Sequence, residues 1–116
     1  MGKSKKAATE IRKIRVSNFA YQNIDEIISF IAFENRQPVN ALKISEAIEN
    51  AIKKIGENPF AYKECLQLPT KAKIYRQAIC LSWLIIYKIS TAEVLILSVI
   101  HGARNPSKIR KLKKIK

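Results

Sequence analysis

Eight side chains in the second half of this sequence could carry chemistry: Lys71, Lys73, Tyr75, Arg76, Tyr87, Lys88, His101 and Arg104. All are basic or aromatic, and they fall around segments that read as strands. Cations of this kind hold phosphate oxygens, and aromatic faces stack nucleobases. With a histidine, a tyrosine and arginines, the set could also cleave RNA without a metal. That reaction needs a base for the 2′-hydroxyl, an acid for the leaving oxygen and positive charge on the phosphorane. For cleavage the candidate catalytic residues are Arg76, His101 and Arg104. For binding alone, the candidate contacts to a target or to RNA are Lys71, Lys73, Arg76, Lys88, His101 and Arg104.

Each candidate has a plainer reading. His101 has a side chain that titrates near neutrality, but at a strand end it is equally suited to a loop hydrogen bond. Tyr87 and Trp83 share a strand face, where aromatics ordinarily fill a core. Arg76 alternates with Ile74, Ala78 and Cys80, so its charge must face a groove or be paired in a contact that defines the fold. Lys71 and Lys73 are solvated lysines unless they rim a groove.

Other chemistries are excluded by what is missing. The chain has three glycines, at positions 2, 56 and 102, and none forms a phosphate loop. One histidine and two cysteines, Cys65 and Cys80, are not spaced as metal ligands. No metal and no cofactor are expected, and both thiols should be free. Glu93 is the single acid after residue 64, so paired carboxylates are unavailable on the sheet side.

The charge is lopsided. Of a net +13, residues 1–64 supply 11 basic and 8 acidic side chains, whereas residues 65–116 supply 11 basic side chains and Glu93 alone. Such asymmetry suits a polyanion or an acidic partner. The 116 residues, 47% of them hydrophobic, are enough for one domain with its own core. No apolar run approaches the roughly 20 residues that span a bilayer, and the lysine-bearing N-terminus has no apolar segment behind it. A cytoplasmic protein with no membrane partner is expected.

The elements that would position these residues can be read from hydrophobic period. Residues 1–9 read as a flexible basic tail and 10–16 as a short edge strand, with Ser17 or Asn18 able to cap a helix. Ile24, Ile27, Ile28 and Ile31 form one helical stripe, predicting a helix over 19–33, with Asp25 and Glu26 favoured by its N-terminal dipole. Pro38 suits the first turn of a second helix, on which Ala41, Ile44, Ile48, Ile52 and Ile55 share a face. Gly56 is expected as its left-handed cap. The stretch from Glu57 to Thr70 reads as irregular. Strands are expected over 72–81, 82–90 and 94–101, with Thr91-Ala92-Glu93 as the last turn. The final two strands are apolar at nearly every position, as in strands covered on both faces. The tail, 107–116, has Ile109, Leu112 and Ile115 spaced by three and is a short docked helix or a disordered basic segment. This order gives an α+β fold, β-α-α-β-β-β, with an antiparallel helical hairpin packed on a small, mainly antiparallel sheet.

The segments Tyr75-Arg76-Gln77-Ala78-Ile79, Trp83 to Ile89 and Val94 to Pro106 resemble the RelE/ParE superfamily of type II toxins. The first strand ending in Val16-Ser17, the hairpin landmarks Asp25-Glu26-Ile27 and Ala41, and Pro59 agree in order. The resemblance covers residues 10–106 and implies the toxin of a toxin–antitoxin pair, held in a hetero-oligomer by a partly acidic cognate antitoxin. RelE-like members are implied to cut messenger RNA in the ribosome, and ParE-like members to bind and inhibit DNA gyrase without catalysis. Arg76 matches a strand arginine that the ribonucleases use on phosphate, and His101 could serve as their acid or base. Three residues before Tyr87, however, they carry another arginine where this chain has Leu84, and no tyrosine follows Pro106. The His101-Gly102-Ala103-Arg104-Asn105 ending looks more like the ParE branch. Gyrase inhibition is therefore the expected activity, with ribosome-dependent mRNA cleavage as the alternative. A non-toxic basic nucleic-acid-binding module is a third reading, from charge alone.

Overall fold

The computed structural model describes residues 12–101 and 106–116. The N-terminal tail, the strand start at Glu10, and Arg104 with its neighbours lie outside the described residues. In chain order the elements are β1 (Lys13–Val16), α1 (Asn18–Ser29), α2 (Pro38–Glu57), β2 (Lys63–Glu64), β3 (Tyr75–Cys80), β4 (Trp83–Ile89), β5 (Glu93–His101) and α3 (Pro106–Lys111). The sheet runs β1-β5-β4-β3-β2, with β1 parallel to β5 and every other pair antiparallel. The fold is α+β, as expected, with one strand more than the sequence suggested.

Ser17 shows how the chain is fastened at its start. Its Oγ accepts the Ala20 N–H at 3.0 Å, capping α1, and donates to the Leu97 carbonyl at 3.1 Å. Its own N–H bonds the Ile96 carbonyl at 3.0 Å. A cap of this kind contributes about 1 kcal/mol, and here the same buried hydroxyl also ties the helix to the central strand. Asp25 and Glu26 lie beyond the first turn of α1, which holds no acid, so the dipole is not what places them. The helix ends at Ser29, and a π turn, Phe30–Glu34, follows, the Asn35 N–H reaching back to Phe30 at 3.0 Å. In α2 Pro38 takes the first turn. Gly56 does not cap it. It lies inside the helix, where a Cβ would overlap the side chain of Ile14 on β1 and only glycine fits.

Two apolar clusters flank the sheet. On one face Ala20 and Ile31 from α1 and its π turn, and Ala41, Ile44, Ile48 and Ile55 from α2, pack on Ile85, Tyr87, Val94, Ile96 and Val99. On the other, Ile109 and Leu112 from the tail, with Cys65 and Leu68, cover Tyr75, Leu84, Ile86, Leu95 and Leu97. Ile109 is fully buried, and each such side chain contributes about 1.5–3 kcal/mol. The tail is a docked helix because β4 and β5 have apolar residues on both faces. A bulge breaks the β4–β5 ladder: Ile86 pairs with Ser98 and Tyr87 with Ile96, leaving Leu97 without a partner.

The irregular stretch hides two elements, a 3₁₀ turn at Pro59–Ala61 and β2, whose two residues pair with Gln77 and Arg76. A two-residue strand shows no periodicity from which to find it. Strand β3 starts at Tyr75 rather than at 72, since Lys73 takes a left-handed φ of 54°. Ile74 consequently packs with the tail-side cluster and not on Arg76's face. Leu81 and Ser82 make a tight turn between β3 and β4, with Leu81 at φ 58°. Glu93 belongs to β5, and its Oε2 meets the Arg15 guanidinium at 2.9 Å. A left-handed conformation costs a branched residue about 1–2 kcal/mol. Leu81→Gly should therefore raise the stability by about 1 kcal/mol, read as a higher denaturant midpoint with an unchanged slope.

Candidate functional site

Arg76 projects from β3 on the helical-hairpin side and is spent on backbone. Its Nε donates to the Lys73 carbonyl at 2.8 Å, and Nη1 donates to Phe60 at 3.0 Å and Tyr62 at 2.9 Å. The guanidinium also lies over the Phe60 ring, 5.2 Å from its centroid, and Arg12 lies over the same ring at 5.4 Å. Arg76 thus clamps the loop between α2 and β2, a fold-defining role carried by carbonyls instead of an ion pair. Beside it Tyr87 is fully buried and donates to the Pro59 carbonyl at 2.6 Å. Burial pushes the Tyr87 hydroxyl well above the ordinary tyrosine value, with Arg76 pulling the other way. Tyr87 is a neutral donor in the core.

The remaining candidates are dispersed. Lys71 and Lys73 are exposed in the loop before β3. Lys88 projects to the opposite face of the sheet from Arg76, its Nζ 5.9 Å from the Tyr75 ring centroid. His101 is exposed at the end of β5, edge-on to Trp83 with ring centroids 6.0 Å apart. Along β4 the partner of Arg76 is Tyr87 and that of His101 is Trp83, four residues apart. At about 3.3 Å per residue that is about 13 Å along the strand, before any sideways separation. Arg76 and His101 do not meet around a phosphate. Among the described residues no cluster of His, Cys, Asp and Glu could hold a metal. Burial raises the Cys65 and Cys80 thiols, which disfavours their nucleophilic thiolate form.

What His101 does border is a groove. Trp83, His101, Ile27, Phe30 and Ile31 line it, with Asn23, Asn35 and Asn40 as polar groups, in a volume of about 610 Å³. A second hollow of about 650 Å³ shares Asn23, Glu26 and Ile100 with the first and continues along α1 to Phe19 and the tail. Both follow the part of β5 that β1 leaves uncovered, since the last β1 pair is Val16 with Ile96. Asn23 closes that open edge: its Oδ1 accepts the Ser98 hydroxyl at 2.8 Å and the Val99 N–H at 3.1 Å. The result is a largely apolar trough with amide groups along it and with Glu26 and His101 on its walls. Of its walls the sequence pointed only to His101 and Trp83. The missed signal was Phe30, large and exposed because it falls off the isoleucine stripe of α1.

The chain matches the model of a family described as the ParE toxin of the type II toxin–antitoxin system, parDE, over residues 14–106. The chain belongs to the ParE toxin family. No curated protein sequence matches it. A solved structure described as the chromosomal ParDE system from P. aeruginosa is similar in fold, with a TM-score of 0.63 at 15% identity. That likeness covers 79% of this toxin and 97% of the other chain. In this ParE toxin Leu84 is buried against the tail cluster. The toxin has no helix, among its described residues, long and apolar enough to cross a membrane.

Hydrogen bonds from a charged donor contribute about 1.5–3 kcal/mol each, less where water reaches them. Arg76→Ala should therefore lower the toxin's stability by about 2–3 kcal/mol in urea unfolding. Arg76→Lys should recover less than half of that loss, because a lysine lacks the fork that spans several carbonyls.

Proposed function

We propose that this toxin arrests growth in the cytoplasm by binding DNA gyrase and inhibiting supercoiling, as a binder and not as an enzyme. Membership of the ParE family over residues 14–106 carries the reading. Two placements support it: the Arg76 guanidinium is occupied by three backbone carbonyls, and Leu84 is buried in place of an arginine. A cognate antitoxin would neutralise the toxin in a hetero-oligomer by laying a segment into the trough between α1 and the open edge of β5. The apolar floor suits the side chains of such a segment, and the asparagines suit its backbone.

Supercoiling of relaxed plasmid by purified gyrase, titrated with the purified toxin, decides the matter. Inhibition at stoichiometric toxin is expected, with full-length transcripts in primer extension from intoxicated cells. Gyrase left unaffected by excess toxin would discard the proposal. Cleaved A-site codons that disappear in His101→Ala would replace it with the ribonuclease reading.

A further inference from the structure

We infer that the docked C-terminal tail is a binding ridge for the phosphodiester backbone of duplex nucleic acid, beyond the gyrase reading and independent of it. The tail turns one amphipathic face inward: Ile109 and Leu112 are buried on the sheet, and Ile115 packs beside them. What remains outward is cationic, with Arg110, Lys111, Lys113, Lys114 and Lys116 all exposed. At about 1.5–2 Å of rise per residue, the helix and its terminal turn extend about 15 Å, the axial length of four to five base pairs at 3.4 Å each.

The surroundings extend the ridge. Lys88, Arg15, Lys113 and Lys116 line one shallow hollow of about 260 Å³, together with Glu93. Glu93 is the single acid of residues 65–116, and it is engaged by Arg15 through hydrogen bonds of 3.1 and 2.9 Å. Arg15 also donates to the Lys116 carbonyl at 3.3 Å, holding the end of the tail against β1. The cations are therefore presented on an ordered surface.

The flank of the tail that faces Arg15 and Lys88 lacks what a protein partner would need. Protein interfaces are anchored by buried aromatic or aliphatic side chains. None of the large hydrophobic side chains exposed among the described residues lines the hollow of Arg15, Lys88, Lys113 and Lys116; Phe19 meets the tail on its other flank, beside Lys108 and Lys111. Charge without an apolar anchor is the character of a phosphate contact, which is sequence-independent and driven by counterion release.

The test is binding of the full-length toxin to a fluorescent DNA duplex of about two turns, followed between 50 and 200 mM salt. Five phosphate contacts predict a log–log slope of about −4.5, hence a loss of affinity of about 500-fold over that range. The triple variant Lys113→Gln, Lys114→Gln, Lys116→Gln should move the slope by about 2.7 towards zero. A charge-matched variant on α2, Lys43→Gln, Lys53→Gln, Lys54→Gln, should leave the slope in place. All of these residues are exposed, and circular dichroism verifies that both variants fold. Duplex RNA of equal length should bind with a similar slope, since backbone charge is what is contacted. Equal effects of the two triple variants would reduce the ridge to bulk net charge and overturn the inference. So would tighter binding of polyglutamate than of DNA, which would make the ridge a site for an acidic protein.

Discussion

Everything in this molecule is arranged around two strands that are apolar on both faces. In β4, Leu84 and Ile86 face one way and Ile85, Tyr87 and Ile89 the other; in β5, Leu95 and Leu97 oppose Val94, Ile96 and Val99. A strand of this kind cannot tolerate water on either side, so both layers of cover are obligatory. The helical hairpin supplies one. The other comes from ten or so residues at the C-terminus, which by themselves are too short to hold a helix and do so only because the sheet receives their isoleucines and leucine.

That requirement divides the surface into two kinds. The hairpin side carries the exposed aromatic and aliphatic residues, Phe30, Phe33, Val39 and Leu42 among them, together with the trough along α1. It has the composition of a surface for other polypeptides. The tail turns Ile109 and Leu112 inward and shows lysine and arginine outward, with Ile79 left exposed farther along the same sheet face. In a small chain with net charge +13 the two meet where Lys108 and Lys111 border the trough beside Phe19.

The same burial explains why three chemically capable positions of the sheet are taken up by packing. Tyr87 is sealed in the core as a donor to Pro59. Arg76, half-buried on β3 beside the short β2, would give up hydrogen bonds to three carbonyls if it swung away to a substrate. Leu84 sits where a guanidinium would have to be desolvated beneath the tail. Interior packing thus holds Tyr87, Arg76 and Leu84 in structural roles.

Read as residues alone, the chain already determined its architecture. The isoleucine stripes, Pro38, the Ser17 cap and the two doubly apolar strands required a hairpin on a covered sheet, because burial of periodic apolar faces has few solutions. It also determined the family, through the order of Tyr75–Ile79, Trp83–Ile89 and the strand ending at His101. Tertiary structure decided the rest. Strand β2, the bulge at Leu97 and the helical Gly56 depend on neighbours distant in sequence, so no local pattern records them. Whether Arg76 faced a groove or a loop was settled by carbonyls at residues 60 and 62, and whether the basic tail was ordered was settled by a sheet face that needed cover. Charge and hydrophobicity are properties of residues, but which of them remain available to a partner depends on what packing leaves outside.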